Sequence, residues 1–156
     1  MAIGSDSVIE FWGTQDTVSS STSSVTDGSF SVGADTSTWT NDDDADIAIA
    51  VITWQYASGT IDTGGNIALY ASLNNIQSTN DESAPSADNP HHFLGAFPVN
   101  DALGTSTDQH ISILFSLEPN TKTSQEWEFY IKNNTGVTIA AGWDLYITPK
   151  AKGPHA

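Results

Sequence analysis

Several short runs of this sequence alternate apolar and polar residues with a period of two, and this constrains the fold more than any other feature. Ile67, Leu69, Ala71 and Leu73 fall on one face of such a run, with Ala68, Tyr70 and Ser72 on the other. Ile111, Ile113, Phe115 and Leu117 repeat the pattern against His110, Ser112, Leu114 and Ser116, and Trp127, Phe129 and Ile131 repeat it against Glu126, Glu128, Tyr130 and Lys132. Successive side chains of a strand point to opposite faces, so these runs read as half-buried β-strands. No longer stretch carries an apolar stripe at helical spacing with a cap and a stop, which predicts very little helix.

Eight strands are predicted: Val8–Trp12, Ser29–Gly33, Ile47–Tyr56, Asn66–Leu73, Phe93–Val99, His110–Leu117, Glu126–Lys132 and a bent Val137–Ile147. Ile47–Tyr56 is apolar on both faces, as suits a central strand covered on both sides or one whose outer face meets another subunit. Turn signals separate the runs at Thr26–Gly28, Asp62–Gly65, Asp101–Gly104 and Asn133–Gly136. The last lies between two alternating runs and predicts a hairpin, since Asn and Gly tolerate the positive φ of tight turns. Two long polar connections, Thr14–Asp27 and Gln77–Pro90, read as surface loops, or as loops that dock on another chain.

Short antiparallel strands with polar loops predict an all-β protein: a two-sheet antiparallel β-sandwich, jelly-roll-like, of about eight strands. Residues 1–156 are expected to form a single domain, with residues 1–28 fitting an extended N-terminal arm.

Charge narrows the functional classes. The chain has 19 Asp and Glu against 4 Lys and no Arg, for a formal charge of -15. Residues 1–121 hold 16 acidic side chains and no basic one. Nucleic acid is therefore not an expected partner, because binding a polyanion needs several cationic side chains to displace counterions from phosphates. Salt bridges cannot hold the first three-quarters together, so burial and the β-ladder must do so. Such self-repulsion is tolerated best in salt or with bound cations. Cysteine is absent, which removes disulfides, thiolate nucleophiles and Cys-type zinc sites. The longest apolar run, Ile47–Ile52, is far too short to span a bilayer, and no membrane partner is expected. Met1–Trp12 lacks the basic and apolar regions of a secretory signal.

Candidate chemistry is sparse. Asp42, Asp44 and Asp46 have an alternating spacing that could hold a cation such as Ca2+ weakly, since hard cations take several oxygens. The loop lacks the turn glycine and closing Glu of an EF-hand, and a solvated acidic turn is the simpler reading. No other cofactor is expected. His91 and His92 are adjacent and would point to opposite faces, which argues against one shared metal. Glu126 and Glu128 share a strand face, but a solvated face opposite Trp127 and Phe129 explains them without glycosidase chemistry. No nucleophile elbow is present, and the chain is not expected to be an enzyme. Trp54, Trp127 and Trp143 sit in predicted strands and belong to the core. Trp39 lies in a polar stretch, and Phe11 and Trp12 close the first strand. These three are the candidates for an interface or, for the tryptophans, a sugar-stacking platform.

Three segments, Gly65–Leu73, Phe93–Val99 and Trp127–Gly136, followed by Trp143–Ile147, resemble a type of small virion structural protein of tailed bacteriophages. The likeness is one of strands and turns over roughly residues 64–148, and residues 1–62 do not share it. It implies a β-sandwich that works by assembly without catalysis, as a capsid decoration (cement) protein or a tail component. The implied partners are other copies of itself and the major capsid protein or another virion protein, and the implied location is the phage particle, assembled in host cytoplasm. The alternative is a carbohydrate- or receptor-binding sandwich of a phage tail or fibre. A small hydrolase is a distant third.

Overall fold

The computed structural model describes residues 8–42, 45–74, 81–90, 92–99, 108–117 and 125–154. Among them are nine strands: β1 (Val8–Trp12), β2 (Asp16–Ser20), β3 (Trp39–Asn41), β4 (Ile47–Trp54), β5 (Asn66–Asn74), β6 (His92–Pro98), β7 (Gln109–Ser116), β8 (Gln125–Asn134) and β9 (Asp144–Pro154). A single 3-10 turn at Gly33–Asp35 is the helical element among these residues.

The strands form two antiparallel sheets. Sheet 1 has the order β1-β9-β4-β7, with β2 pairing β9 beside β1, and sheet 2 has the order β3-β8-β5-β6. Strands β2 to β9 form nested antiparallel pairs, β2 with β9, β3 with β8, β4 with β7 and β5 with β6. This is a jelly roll, a long hairpin wrapped so that its successive pairs fall alternately in the two sheets. The expected fold class holds, with the strand order now fixed.

Alternation places the core between the sheets. Ala48, Ala50, Ile52 and Trp54 of β4 face Ile67, Leu69, Ala71 and Leu73 of β5 and Trp127, Phe129 and Ile131 of β8, all buried. Phe129 is central: its ring meets Trp39 at 5.9 Å, Phe115 at 6.0 Å and Trp127 at 6.2 Å. Each fully buried ring of this size contributes about 1.5–3 kcal/mol. Trp54, Trp127 and Trp143 are fully buried as expected, though Trp143 stands just before β9 and not within a strand. Among the described residues their indole N–H groups find no partner, a cost of about 1–3 kcal/mol each that ring burial offsets.

Four expectations need correction. The segment Thr14–Asp27 is not one loop, because Asp16–Ser20 forms β2, and with β1 it builds residues 8–20 of the presumed arm into sheet 1. The only apolar residue of Asp16–Ser20, Val18, is too little for a visible period. Ser29–Gly33 is not a full strand: Ser31 and Asn133 bond across to β8 and the 28–31 stretch, but the chain then enters the 3-10 turn. The last strand starts later and runs further than predicted, because Val137 and Ile139 plug the end of the sandwich, where Ile139 bridges Val25 and Tyr56. Finally, the Asn133–Gly136 turn exists but closes no hairpin, since β8 and β9 lie in different sheets. Asn133, fully buried, accepts from the Thr135 N–H and hydroxyl and donates to the carbonyls of Val25 and Val137, which steers the chain across the sandwich.

Candidate functional site

The acidic loop comes first. Asn41 clamps it, donating from Nδ2 to the Ala45 carbonyl at 2.9 Å while its Oδ1 accepts the Ala45 N–H at 3.0 Å. Asp42 and Asp46 are exposed on either side of the clamp, and Asp44 lies outside the described residues. No group of three or more His, Asp or Glu that could hold a metal occurs among the described residues.

Trp39 is not a surface platform. It is 6% exposed, because β3 turns it inward onto Phe129, and its indole N–H donates to Asp16 at 3.0 Å. Above this bond is a polar cleft of about 160 Å³ lined by Thr14, Asp16, Trp39, Thr40, Asn41, Asp42 and Pro149. It gathers two carboxylates and two hydroxyls but shows little ring surface. Phe11 and Trp12 are about half exposed, and as neighbours on β1 they project to opposite faces of that strand.

Of the His and Glu residues weighed and set aside above, His92 and Glu128 make other contacts. His91 lies outside the described residues. His92 Nε2 is 3.2 Å from Glu82 Oε1, while Glu82 Oε2 accepts the Leu73 N–H at 2.8 Å, which fastens the 81–90 segment to the end of β5. Glu128 is not simply solvated: it accepts from the Tyr130 hydroxyl at 2.7 Å and from Asn74 Nδ2 at 3.0 Å. Burial, reinforced by the bond to Glu128 and that carboxylate's charge, pushes the Tyr130 phenol up to about 12, while Ser72 acts in the opposite sense.

The outer face of sheet 2 is what the sequence reading missed. Register places Tyr70 directly opposite Tyr130 on one side and Phe93 on the other. Phe30 bridges to Lys132 at the flank of β8. The Tyr70 ring stands 5.1 Å from Phe30 and 5.4 Å from Phe93, tilted by 65° and 59°, and Lys132 Nζ lies 5.4 Å over the Phe30 ring. Phe93 is 59% exposed, and Tyr70 and Phe30 are half-buried. Ala68 and Ala96, opposite one another, leave a shallow step beside the rings. The one signal in the sequence was that Tyr70 falls on the polar side of an otherwise regular alternation.

This face carries an apolar, stepped surface on rigid strands, bordered by Lys132, Glu126 and the Asn66–Asn134 pair at 3.2 Å. Such a surface can stack on a ligand that has both apolar faces and hydroxyls. No protein-family model matches the sequence, and no curated protein matches it. Among solved structures the chain is similar to a protein described as "xylan-binding module CBM15", at 17% identity and a TM-score of 0.37, over 92% of this chain and 97% of that one.

Proposed function

We propose that this protein is a non-catalytic binding module that recognises a carbohydrate on the outer face of sheet 2. The observation that carries this is the run Phe30, Tyr70 and Phe93, whose rings meet on one sheet face, with Phe93 59% exposed on the edge strand β6. Pyranose rings have apolar C–H faces that stack on aromatic rings, while their hydroxyls take bonds from flanking amides and charges. The tilts between neighbouring rings make a step, not a plane, which favours single sugars or bent chains over flat crystalline surfaces. The test is a glycan array followed by titration calorimetry. A bound glycan whose affinity falls about tenfold or more in Phe93→Ala and Tyr70→Ala, and not in Trp12→Ala, supports the assignment. Absence of binding to any glycan, or binding that both variants retain, removes it.

A second reading is a virion structural protein, in its sharpest form a capsid decoration protein that assembles on the phage head and stabilises it. It is favoured by the resemblance of residues 64–148 to such proteins and by the exposed Phe11 and Trp12 on β1, away from the aromatic face. Its partners would be further copies of the chain and the major capsid protein. Purified particles incubated with the protein and imaged would show a repeating knob, with occupancy that responds to salt and divalent ions because the chain carries a charge of -15. Particles that remain bare exclude it. A sugar-binding module on a tail or fibre would satisfy both readings.

A further inference from the structure

We propose that the outer face of sheet 1 is a self-association surface, on which a second copy of this chain packs about a two-fold axis. Strands β4 and β7, of eight residues each, contain no Asp, Glu or Lys. Outward from them point Ile47, Ile49 and Val51, half-buried, and Leu114, 61% exposed and directly opposite Ile49, together with the polar but uncharged Ser112 and Ser116 and, at one end, Thr53 and His110. On the far side of β4 the facing residues of β9 are Tyr146 and Thr148, also uncharged. The result is a patch three strands wide without a charged side chain, in a chain with 19 acidic residues and 4 Lys. On sheet 2, by contrast, β8 presents Glu126, Glu128 and Lys132 outward.

The charge pattern selects the occupant. Two copies at -15 each repel wherever carboxylates face one another, so like can meet like only where carboxylates are absent. A basic partner would gain most from the acidic loops and least from this patch. An uncharged patch with an apolar centre at Ile49, Val51 and Leu114 buries its area best against another of the same kind, and a two-fold contact supplies one at no cost in new sequence. The charged rim, Asp144 at one end and the Glu10–Lys150 pair at the other, then sets the register.

Sedimentation velocity across a concentration series tests this in the intact chain. We expect a reversible dimer that strengthens as salt screens the net charge. Leu114→Asp and, independently, Ser112→Asp should each weaken it about tenfold or more by placing a carboxylate in the contact. Both positions are exposed, so circular dichroism and melting should remain near wild type, and Ser112→Asp removes no apolar area. Phe93→Ala should leave the dimer intact. A monomer at every concentration and salt, a dimer that survives both Asp variants, or one lost instead in Phe11→Ser or Trp12→Ser overturns the proposal. Glycan binding is read separately, so failure of one assignment does not bear on the other.

Discussion

The indole N–H of Trp39 donates to the Asp16 carboxylate at 3.0 Å, and this bond joins the two sheets, since Trp39 belongs to β3 and Asp16 to β2. It lets a large ring fill the core while its one polar atom finds a partner at the rim. Trp39→Phe should keep most of the packing and lose the bond, costing about 1 kcal/mol. Trp39→Ala should cost about 3–5 kcal/mol by opening a cavity beside Phe129. Chemical denaturation reads both. Equal costs would mean that the bond, and not the ring, carries the stability.

Asn133 satisfies four polar groups at the crossing between the sheets. Asn133→Ala strands the Thr135 N–H and takes one of two bonds from the carbonyls of Val25 and Val137, which keep those from the Ile139 N–H and the Thr135 hydroxyl, and should destabilise by about 1–3 kcal/mol. Asn133→Asp keeps the acceptor and loses both donors, so it should be nearly as damaging. A melting temperature unchanged in both variants would place the turn outside the folding unit.

Gly136 follows at φ +81°, and a Cβ there would overlap the Asp62 carboxyl group, while its N–H donates to Asp27 at 2.9 Å. Gly136→Ala should therefore lower stability through both strain and overlap, by about 1–3 kcal/mol. Asp62→Ala in the same background should recover the part due to overlap, which a double-mutant cycle measures.

Alkaline pH should weaken the fold through Tyr130. Its phenol is held neutral in the folded state up to about 12, against 10.0 for a free tyrosine. A raised folded pKa means stabilisation that is complete below the unfolded value and lost as pH climbs from about 10 towards 12. Tyr146, raised by burial and by Asp144, adds in the same sense. Stability measured across that window should fall less steeply in Tyr130→Phe than in wild type. Parallel slopes would show that other groups govern alkaline unfolding.

Salt should stabilise the chain. With 16 acidic and no basic side chains in residues 1–121, screening relieves repulsion more than it weakens the few ion pairs. The melting temperature is expected to rise from low ionic strength to about 0.5 M sodium chloride, where the Debye length is only a few Å. A fall would mean that the Glu10–Lys150 and Glu82–His92 contacts outweigh the net charge.

The two-sheet sandwich was legible because alternation depends only on which residues are apolar. The runs at Ile67, Ile111 and Trp127 marked β5, β7 and β8, and two-sided apolarity marked β4 as central. Strands β2 and β3 were invisible for the opposite reason. Asp16–Ser20 and Trp39–Asn41 bury polar groups whose partners are backbone or side-chain atoms far away in sequence, such as Ser19 on the Asp35 carbonyl.

The aromatic face was hidden in the same way. Phe30, Tyr70 and Phe93 are scattered along the chain and meet only because β5 lies between β6 and β8 and the 28–31 stretch flanks β8. Trp39 showed the converse error: polar neighbours in sequence suggested exposure, but its neighbours in space are Phe129 and Asp16. Period, composition and charge determined that this chain is a sandwich of two β-sheets without many salt bridges. Strand order, and with it every surface where a ligand or a second copy could bind, was decided by long-range pairing, because side chains from separate strands share a face only once register sets them side by side.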